Sequence, residues 1–224
     1  PKAVLATHEG LSNRLNWGWN AFPYVESDIC LSKTSPNFVD FVAEVFSPLL
    51  KGVPLVIWEQ ANNFDLFQFV TCLKDECITR LLLVPSLLRE MLEFFPDLNE
   101  ALPDLKFVTV SGEELTLELT SRFFAAAPES RLLNLYGSSE VSADVSFYEV
   151  HADAIPEKSV PVGSAIENTQ LYVLDEQLQP CSVGVKGTLY VSGSGLSLGY
   201  LNAPGYSARR FLPNHFTRDG QRMF

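Results

Sequence analysis

The sequence predicts an α/β fold: parallel-sheet βαβ units over residues 1–150, followed by a smaller β-rich, barrel-like subdomain over residues 151–224. Two observations predict it. Between Asn37 and Leu135, short continuous apolar runs alternate with segments rich in Leu, Phe, Glu and Gln. Strands buried on both faces read as such runs, and intervening helices place them in a parallel sheet. After Ser146 the strands are short and set among Pro156, Pro161, Gly163, Pro180, Gly184, Gly193, Gly195 and Gly199. That punctuation suits a small antiparallel sheet or barrel beside the α/β part, with the boundary near Val150.

Taken along the chain, the first element readable in detail is a helix starting near Phe38. At 100° per residue, Phe38, Phe41, Val42, Val45, Phe46 and Leu49 form one apolar stripe, the spacing of a core-facing helix. Val39, Asp40 and Ala43 share another face that could line a small polar pocket, although spacing alone favours Asp40 as an acid placed at a helix N-terminus by the dipole. The strands are residues 54–58 (PLVIW), 80–85 (RLLLVP), 106–111 (KFVTVS) and 131–135 (RLLNL). Cys72 and Cys77 fall on a helical segment between the first two and read as small hydrophobes. Residues 169–175 (TQLYVLD) and 187–192 (GTLYVS) are the later strands, and Gly193-Ser194-Gly195 shapes the turn that follows.

Composition narrows the function classes. With 16 Lys and Arg against 27 Asp and Glu, the formal net charge is −11 and the basic residues are scattered singly, which argues against a nucleic-acid partner. No apolar run approaches the roughly 20 residues of a membrane span, so no membrane partner is expected. Cys30, Cys72, Cys77 and Cys181 match neither a zinc ribbon nor a dense disulfide framework, and His8, His151 and His215 lack metal-ligand spacing. A reducing, cytoplasmic setting is expected. The chain opens on Pro1 rather than Met and closes on Met223-Phe224 in mid-pattern, so an excised fragment is expected.

Chemistry concentrates in residues 133–146, LNLYGSSEVSADVS, where an apolar strand ends in Tyr-Gly-Ser-Ser-Glu. Ligands of open α/β folds bind beyond the carboxyl ends of the strands, which puts Tyr136, Ser139 and Glu140 at the mouth of a cleft. Gly137 permits the tight turn, hydroxyls reach phosphate oxygens, and Glu140 is a hard oxygen ligand suited to Mg²⁺.

Together with Pro1-Lys2, Ser111-Gly112-Glu113, the stretch VLDEQLQPCSVGVKGTLYVSGSGLSLGYLN and Arg209-Arg210-Phe211, this segment resembles the large domain of adenylate-forming enzymes, the group of acyl-CoA synthetases and nonribosomal peptide synthetase adenylation domains. The resemblance spans essentially the whole chain. It implies ATP activation of a carboxylic acid to an acyl-adenylate with release of pyrophosphate, catalysed mostly by positioning and neutralisation of phosphate charge. It further implies that Lys2 and Ser139 touch phosphate and that Glu140 holds Mg²⁺. Tyr136, Gly137 and the backbone around Gly112, Glu113 and Asn134 would enclose adenine. Ser138-Ser139 stands where Pro-Thr is usual, and Ser139 keeps the hydroxyl.

By the same motif alignment the acyl pocket comprises Val39, Asp40, Ala43, Leu83, Thr109, Ser111, Leu135, Ala143 and Asp144. Domains selecting α-amino acids carry Asp where Val39 stands. Here the carboxylate is Asp40, displaced by about 100° and 1.5 Å along a helix, with Asp144 as a second one. This pattern resembles β-alanine-activating domains. Residues 12–24 (SNRLNWGWNAFPY) and 33–46 (KTSPNFVDFVAEVF) are similar to Ebony-type β-alanyl-amine synthetases. In that family β-alanine passes from the adenylate to a phosphopantetheine carrier and then to a biogenic amine, by domains outside this chain. The ribose-binding Asp and the mobile lid with its catalytic Lys would follow Phe224, so the fragment alone is expected to be inactive. Two alternatives stay open: a ligase, including an acyl-CoA ligase, for another acid, or a noncatalytic scaffold of the same fold.

Overall fold

In the computed structural model, which describes residues 2–59, 64–217 and 220–224, the elements follow in the order α1 (His8–Ala21), β1 (Cys30–Ser32), α2 (Asp40–Leu49), β2 (Leu55–Ile57), α3 (Leu66–Asp75), β3 (Arg80–Leu83), α4 (Pro85–Phe94), α5 (Leu98–Ala101), β4 (Phe107–Val110), α6 (Leu117–Ala126), β5 (Arg131–Ser138), a 3-10 turn (Ser139–Val141), β6 (Ala143–Val150), β7 (Ser164–Ala165), β8 (Thr169–Leu174), β9 (Thr188–Gly193), α7 (Pro204–Arg210), β10 (Leu212–Pro213) and β11 (Arg222–Met223). Pro1 of the Pro1-Lys2 phosphate-loop assignment lies outside the described residues.

The expected α/β class is present. One sheet has the order β2-β1-β3-β4-β5-β6-β7, and its β2-β1-β3-β4-β5 part is parallel. The other is β10-β11-β9-β8, antiparallel, with Thr169 opposite Gly193 and Leu174 opposite Thr188. It is an open four-stranded sheet with β10 and β8 at its ends, where the sequence suggested a barrel.

By compactness the chain divides into an α/β unit, Gly18–Tyr136 with Ser146–Ser164, and a β unit, Pro1–Trp17 with Gly137–Val145 and Ala165–Phe224. The boundary expected near Val150 falls within Ser146–Ser164, which compactness groups with the α/β unit. The shift in composition marks where strand texture changes, whereas β5 and β6 each run from one unit into the other.

The α/β unit is organised around an apolar cluster on the sheet face that Leu81, Leu83, Val108, Val110 and Leu132 share. Phe69, Leu88, Leu119, Phe123, Val108 and Leu132 are fully buried there. Helix ends are tied locally: the Asp65 carboxylate accepts from the amides of Phe67 (2.9 Å) and Gln68 (3.1 Å), and Thr116 Oγ1 from that of Leu119 (3.2 Å). Each such cap is worth about 1 kcal/mol. Pro85 opens α4, a position where its missing N–H costs nothing. In the β unit Val141, Val145 and Val191 form a small core with Leu171, Leu196 and Phe224.

Helix α2 is rotated relative to expectation. Its buried residues are Glu44 and Pro48, while Phe38, Phe46 and Leu49 are 66%, 45% and 52% exposed. The reason is Glu44. Its carboxylate accepts from the amides of Thr34 (2.8 Å) and Lys33 (3.1 Å) and from Thr34 Oγ1 (3.0 Å), just beyond the end of β1. Lys33 Nζ stands 3.8 Å away. A buried carboxylate satisfied by backbone amides fixes which face of α2 turns inward, overriding the apolar stripe. Cys77 also departs from its assignment: it follows α3 with φ 51° and is exposed. All four cysteines are free. Among the described residues no helix is long and apolar enough to cross a membrane.

Candidate active site

In the α/β unit the parallel strands deliver the predicted residues to one edge. Leu83, Val110 and Asn134 lie in register across β3, β4 and β5, and the Ser111 amide donates to the Leu83 carbonyl at 3.1 Å. Parallel strands end on the same side, so Thr109, Ser111, Gly112 and Glu113 share the carboxyl edge with Asn134, Leu135 and Tyr136. Gly112 has φ +85°, a conformation that a side chain strains, and it turns the backbone there. The Glu113 carboxylate accepts from the amide and hydroxyl of Ser86, both at 2.9 Å. It thus satisfies an orphan amide in the first turn of α4, so this carboxylate is engaged within the fold.

Asn134 is buried and its Nδ2 donates to the Pro161 carbonyl at 2.9 Å. Tyr136, 42% exposed, presents its ring at the end of this row. Leu83 and Leu135 are buried.

Val39, Asp40 and Ala43 sit at the start of α2, which packs on β1 and β2. Val39 is the N-cap and Asp40 the first helical residue, where the dipole favours its charge. Burial pushes the Lys33 ammonium below the ordinary lysine value, while the charges of Glu44 and Asp40 pull it back up.

The β unit gathers Lys2, Gly137, Ser139, Glu140, Ala143 and Asp144. Gly137 is obligatory: a Cβ there would lie 1.6 Å from the Ala143 carbonyl oxygen. Ser142 and Ala143 both have positive φ, 58° and 83°, so the reversal after Glu140 is a strained one. Ser139 is exposed and Glu140 half-buried. Glu140 Oε1 accepts a 2.7 Å hydrogen bond from the Tyr200 hydroxyl, and its backbone carbonyl accepts from the Ser197 amide at 2.9 Å. Burial pushes the Glu140 carboxyl up, but hydrogen bonds from Tyr200, its own backbone amide and Ser138, with the charge of Arg210, outweigh this and hold it below the ordinary value.

Lys2 Nζ donates to the Tyr206 hydroxyl at 2.6 Å and stands 4.3 Å from that ring's centroid. Ala143 and Asp144 are buried, and the Asp144 carboxylate is paired with Arg14 Nε at 2.6 Å. Arg14 lies 4.8 Å from the Trp17 ring centroid.

The donor set fits Mg²⁺ carried in by a polyphosphate. Glu140 is a half-buried, ionised carboxylate with one oxygen oriented by a phenol. Among the described residues there is no group of three or more His, Cys, Asp or Glu side chains that could hold a metal. One carboxylate, with phosphate oxygens and water completing the octahedron, is how Mg²⁺ is usually held at such sites.

Sequence reasoning missed Tyr200, Tyr206 and Arg14. The first lay within the GYLN segment that carried the family resemblance, and Arg14 within SNRLNW, but nothing in their spacing announces a partner 60 or 130 residues away.

The AMP-binding enzyme family matches residues 1–201. The chain is 36% identical over 224 residues to the β-alanyl-bioamine nonribosomal peptide synthetase ebony of Drosophila melanogaster, covering 96% of this chain and 25% of that protein. It is 36% identical over 231 residues to the vanchrobactin synthetase VabF of Vibrio anguillarum, covering 100% of this chain and 8% of that one. The Klebsiella oxytoca NpsA N-terminal subdomain, solved with 3-hydroxyanthranilyl-AMSN, superposes with TM-score 0.86 at 29% identity, over 100% of this chain and 56% of that one. The chain therefore spans a quarter or less of these two curated relatives. With fold, motif order and family model in agreement, the chain belongs to the AMP-binding enzyme family, and its relatives include nonribosomal peptide synthetases.

Proposed function

We propose that the protein containing this chain activates β-alanine with ATP and Mg²⁺, forming the acyl-adenylate and pyrophosphate, then passes the acyl group as a thioester to a phosphopantetheine carrier for conjugation to a biogenic amine. The observation that carries this reading is the pairing of an apolar Val39 with Asp40 at the first turn of α2. An α-amino acid would bury its ammonium against Val39. A β-amino acid carries the charge one carbon further out, where Asp40 meets it. Asp144, the second carboxylate of the assigned pattern, is paired with the Arg14 guanidinium. The similarity to ebony supports the same acid.

In this reading Lys2 and Ser139 approach phosphate, Glu140 takes Mg²⁺, and Tyr136 stacks on adenine beside Gly137 and the Gly112, Glu113 and Asn134 backbone. Ala43, Leu83, Thr109, Ser111, Leu135 and Ala143 shape the acyl pocket. The adenylation step needs only positioning and charge neutralisation from these residues.

A second reading, a ligase for a different acid, is favoured by VabF standing at the same 36% identity as ebony. Exchange of labelled pyrophosphate into ATP by the full-length protein separates the two. With β-alanine, α-alanine and an aryl acid as substrates, the proposal expects exchange with β-alanine alone. Asp40→Ala should cut it by roughly 30-fold to several-thousand-fold, the range for unpairing a buried charge at about 2 to 5 kcal/mol. Preference for another acid rejects β-alanine while keeping the chemistry. Silence with every acid supports the noncatalytic scaffold.

A further inference from the structure

Glu140 is held from two sides by one short segment of the β unit. The Ser197 amide pins its carbonyl at 2.9 Å, and three residues later the Tyr200 hydroxyl donates to its carboxylate at 2.7 Å. Tyr200 is only 6% exposed. Its amide donates to Ser207 Oγ at 2.9 Å, and that hydroxyl donates to the Ala203 carbonyl at 3.0 Å. The residues around it pair with the chain start: Leu5 N to Gly199 O (2.9 Å), Leu198 N to Leu5 O (2.9 Å) and Leu201 N to Ala3 O (2.8 Å). Its ring packs against Tyr206 and Phe211, with centroids at 4.7 and 5.7 Å.

A phenol so anchored has little freedom, and its single proton is committed to Oε1 of Glu140. A free glutamate loses roughly 1.5 to 2 kcal/mol of rotamer entropy when ordered by a ligand. Here that cost is met in the fold. Partners that orient a ligating carboxylate commonly change metal affinity by about 10-fold to 100-fold when removed.

We propose that Tyr200 is a positioning residue: it fixes the Glu140 carboxylate so that its other oxygen meets the divalent cation that accompanies ATP. The inference rests on the reading of Glu140 as the cation's carboxylate. It assigns Tyr200 no contact with substrate. It also predicts a specific loss, of cation affinity, where a merely structural tyrosine would give a general one.

The test uses the full-length protein and its Tyr200→Phe and Glu140→Gln variants. Mn²⁺ binding is followed by electron paramagnetic resonance in the presence of a nonhydrolysable ATP analogue. The Mg²⁺ dependence of pyrophosphate exchange and the ligand-free melting midpoint are measured beside it. Tyr200→Phe is expected to weaken Mn²⁺ binding roughly tenfold and to raise the half-saturating Mg²⁺ by a similar factor. Much of the lost rate should return as Mg²⁺ is raised.

A lower melting midpoint and rate with unmoved cation affinity would mean a structural role and overturn the proposal. Unchanged Mn²⁺ affinity in Tyr200→Phe with weakened binding in Glu140→Gln overturns the positioning role and leaves the Glu140 reading intact. Unchanged affinity in Glu140→Gln removes that reading and the inference with it. Should Tyr200→Phe fail to fold, Ser207→Ala loosens the backbone of Tyr200 without touching its hydroxyl. A several-fold weakening of Mn²⁺ binding is expected there, and none would count against the proposal.

Discussion

Glu44→Ala should release the start of α2 from the end of β1. The carboxylate accepts from two backbone amides, Thr34 at 2.8 Å and Lys33 at 3.1 Å, and from Thr34 Oγ1 at 3.0 Å, with Lys33 Nζ at 3.8 Å. Removing one member of a buried charge pair costs about 3 to 5 kcal/mol, and each amide left unpaired away from water about 1 to 3. These overlap, because water entering the vacated space will solvate some donors, so about 3 to 5 kcal/mol is expected overall. Glu44→Gln keeps one acceptor oxygen and should cost about half as much.

Amide hydrogen exchange of Lys33 and Thr34 in the full-length protein reads the loss directly. Glu44→Ala should lower their protection by about 10²-fold or more, given that 1.4 kcal/mol is tenfold. Because Val39 and Asp40 stand one turn before Glu44, pyrophosphate exchange should fall too, and β-alanine selectivity should narrow. Protection within threefold of wild type in a folded Glu44→Ala protein would refute the claim that this carboxylate sets the rotation of α2.

Three further predictions concern stability. Gly137→Ala should cost at least about 3 kcal/mol or abolish folding, since its Cβ would meet backbone at 1.6 Å, whereas Gly184→Ala, with nothing within 4 Å but φ +84°, should cost about 1; equal urea midpoints would refute the contrast. Arg14→Met should cost about 3 kcal/mol at neutral pH by removing the guanidinium paired with the buried Asp144 carboxylate, and adding Asp144→Asn should recover part of it, so a single variant costing under about 1 kcal/mol would contradict the claim. Burial pushes the Cys30 thiol and the Tyr24 phenol each up to about 12, so their contributions are full below the unfolded values near 9 and 10 and are lost as pH rises to 12. Between pH 10 and 12 the two together lower stability by up to about 2.7 kcal/mol per pH unit, Tyr200, pushed up likewise, adds to the fall, and Lys33, whose value burial lowers, offsets at most about 1.4. Urea midpoints that stay flat across that interval, or a slope unaffected by Cys30→Ala, would contradict this account.

What could be read from sequence follows how local the deciding interaction is. Strands β4 and β5 were legible because residues on both faces are buried, so apolar residues run continuously, and β3 because Leu82 on its half-buried face keeps the run apolar; their ends mark the carboxyl edge. Strand β1 was not, although it lies between β2 and β3: it is three residues long, and Asp28 and Lys33 on either side dilute the signal. The α2 stripe misled because a charged residue inside a helix ordinarily faces water, and only the amides of residues 33 and 34 make Glu44 the inward one. The carboxyl-edge residues were found from motif order. The hydrogen bond that orients Glu140 joins residues 60 apart, and Arg14 and Asp144 are 130 apart, distances at which periodicity carries no information.

Charge shows the same dependence on place. A net −11 argues against nucleic acid because a polyanion is held by clustered basic residues, and along this sequence they are scattered. ATP asks for much less: a few groups at one point, with the remaining acids screened beyond roughly 8 Å at physiological ionic strength. In the β unit the charge of Arg210 acts on Glu140, and Lys2 donates to Tyr206, whose ring packs against that of Tyr200. The Lys2 bond holds the exposed Tyr206 phenol below its ordinary value, while burial and the neighbouring Glu140 push the Tyr200 phenol up to about 12. Two tyrosines in ring contact are thus driven in opposite directions, Tyr206 by a cation and Tyr200 by burial and a carboxylate. An ordinary phenol is already protonated at neutral pH, and the upward shift extends the interval over which Tyr200 can donate to Glu140.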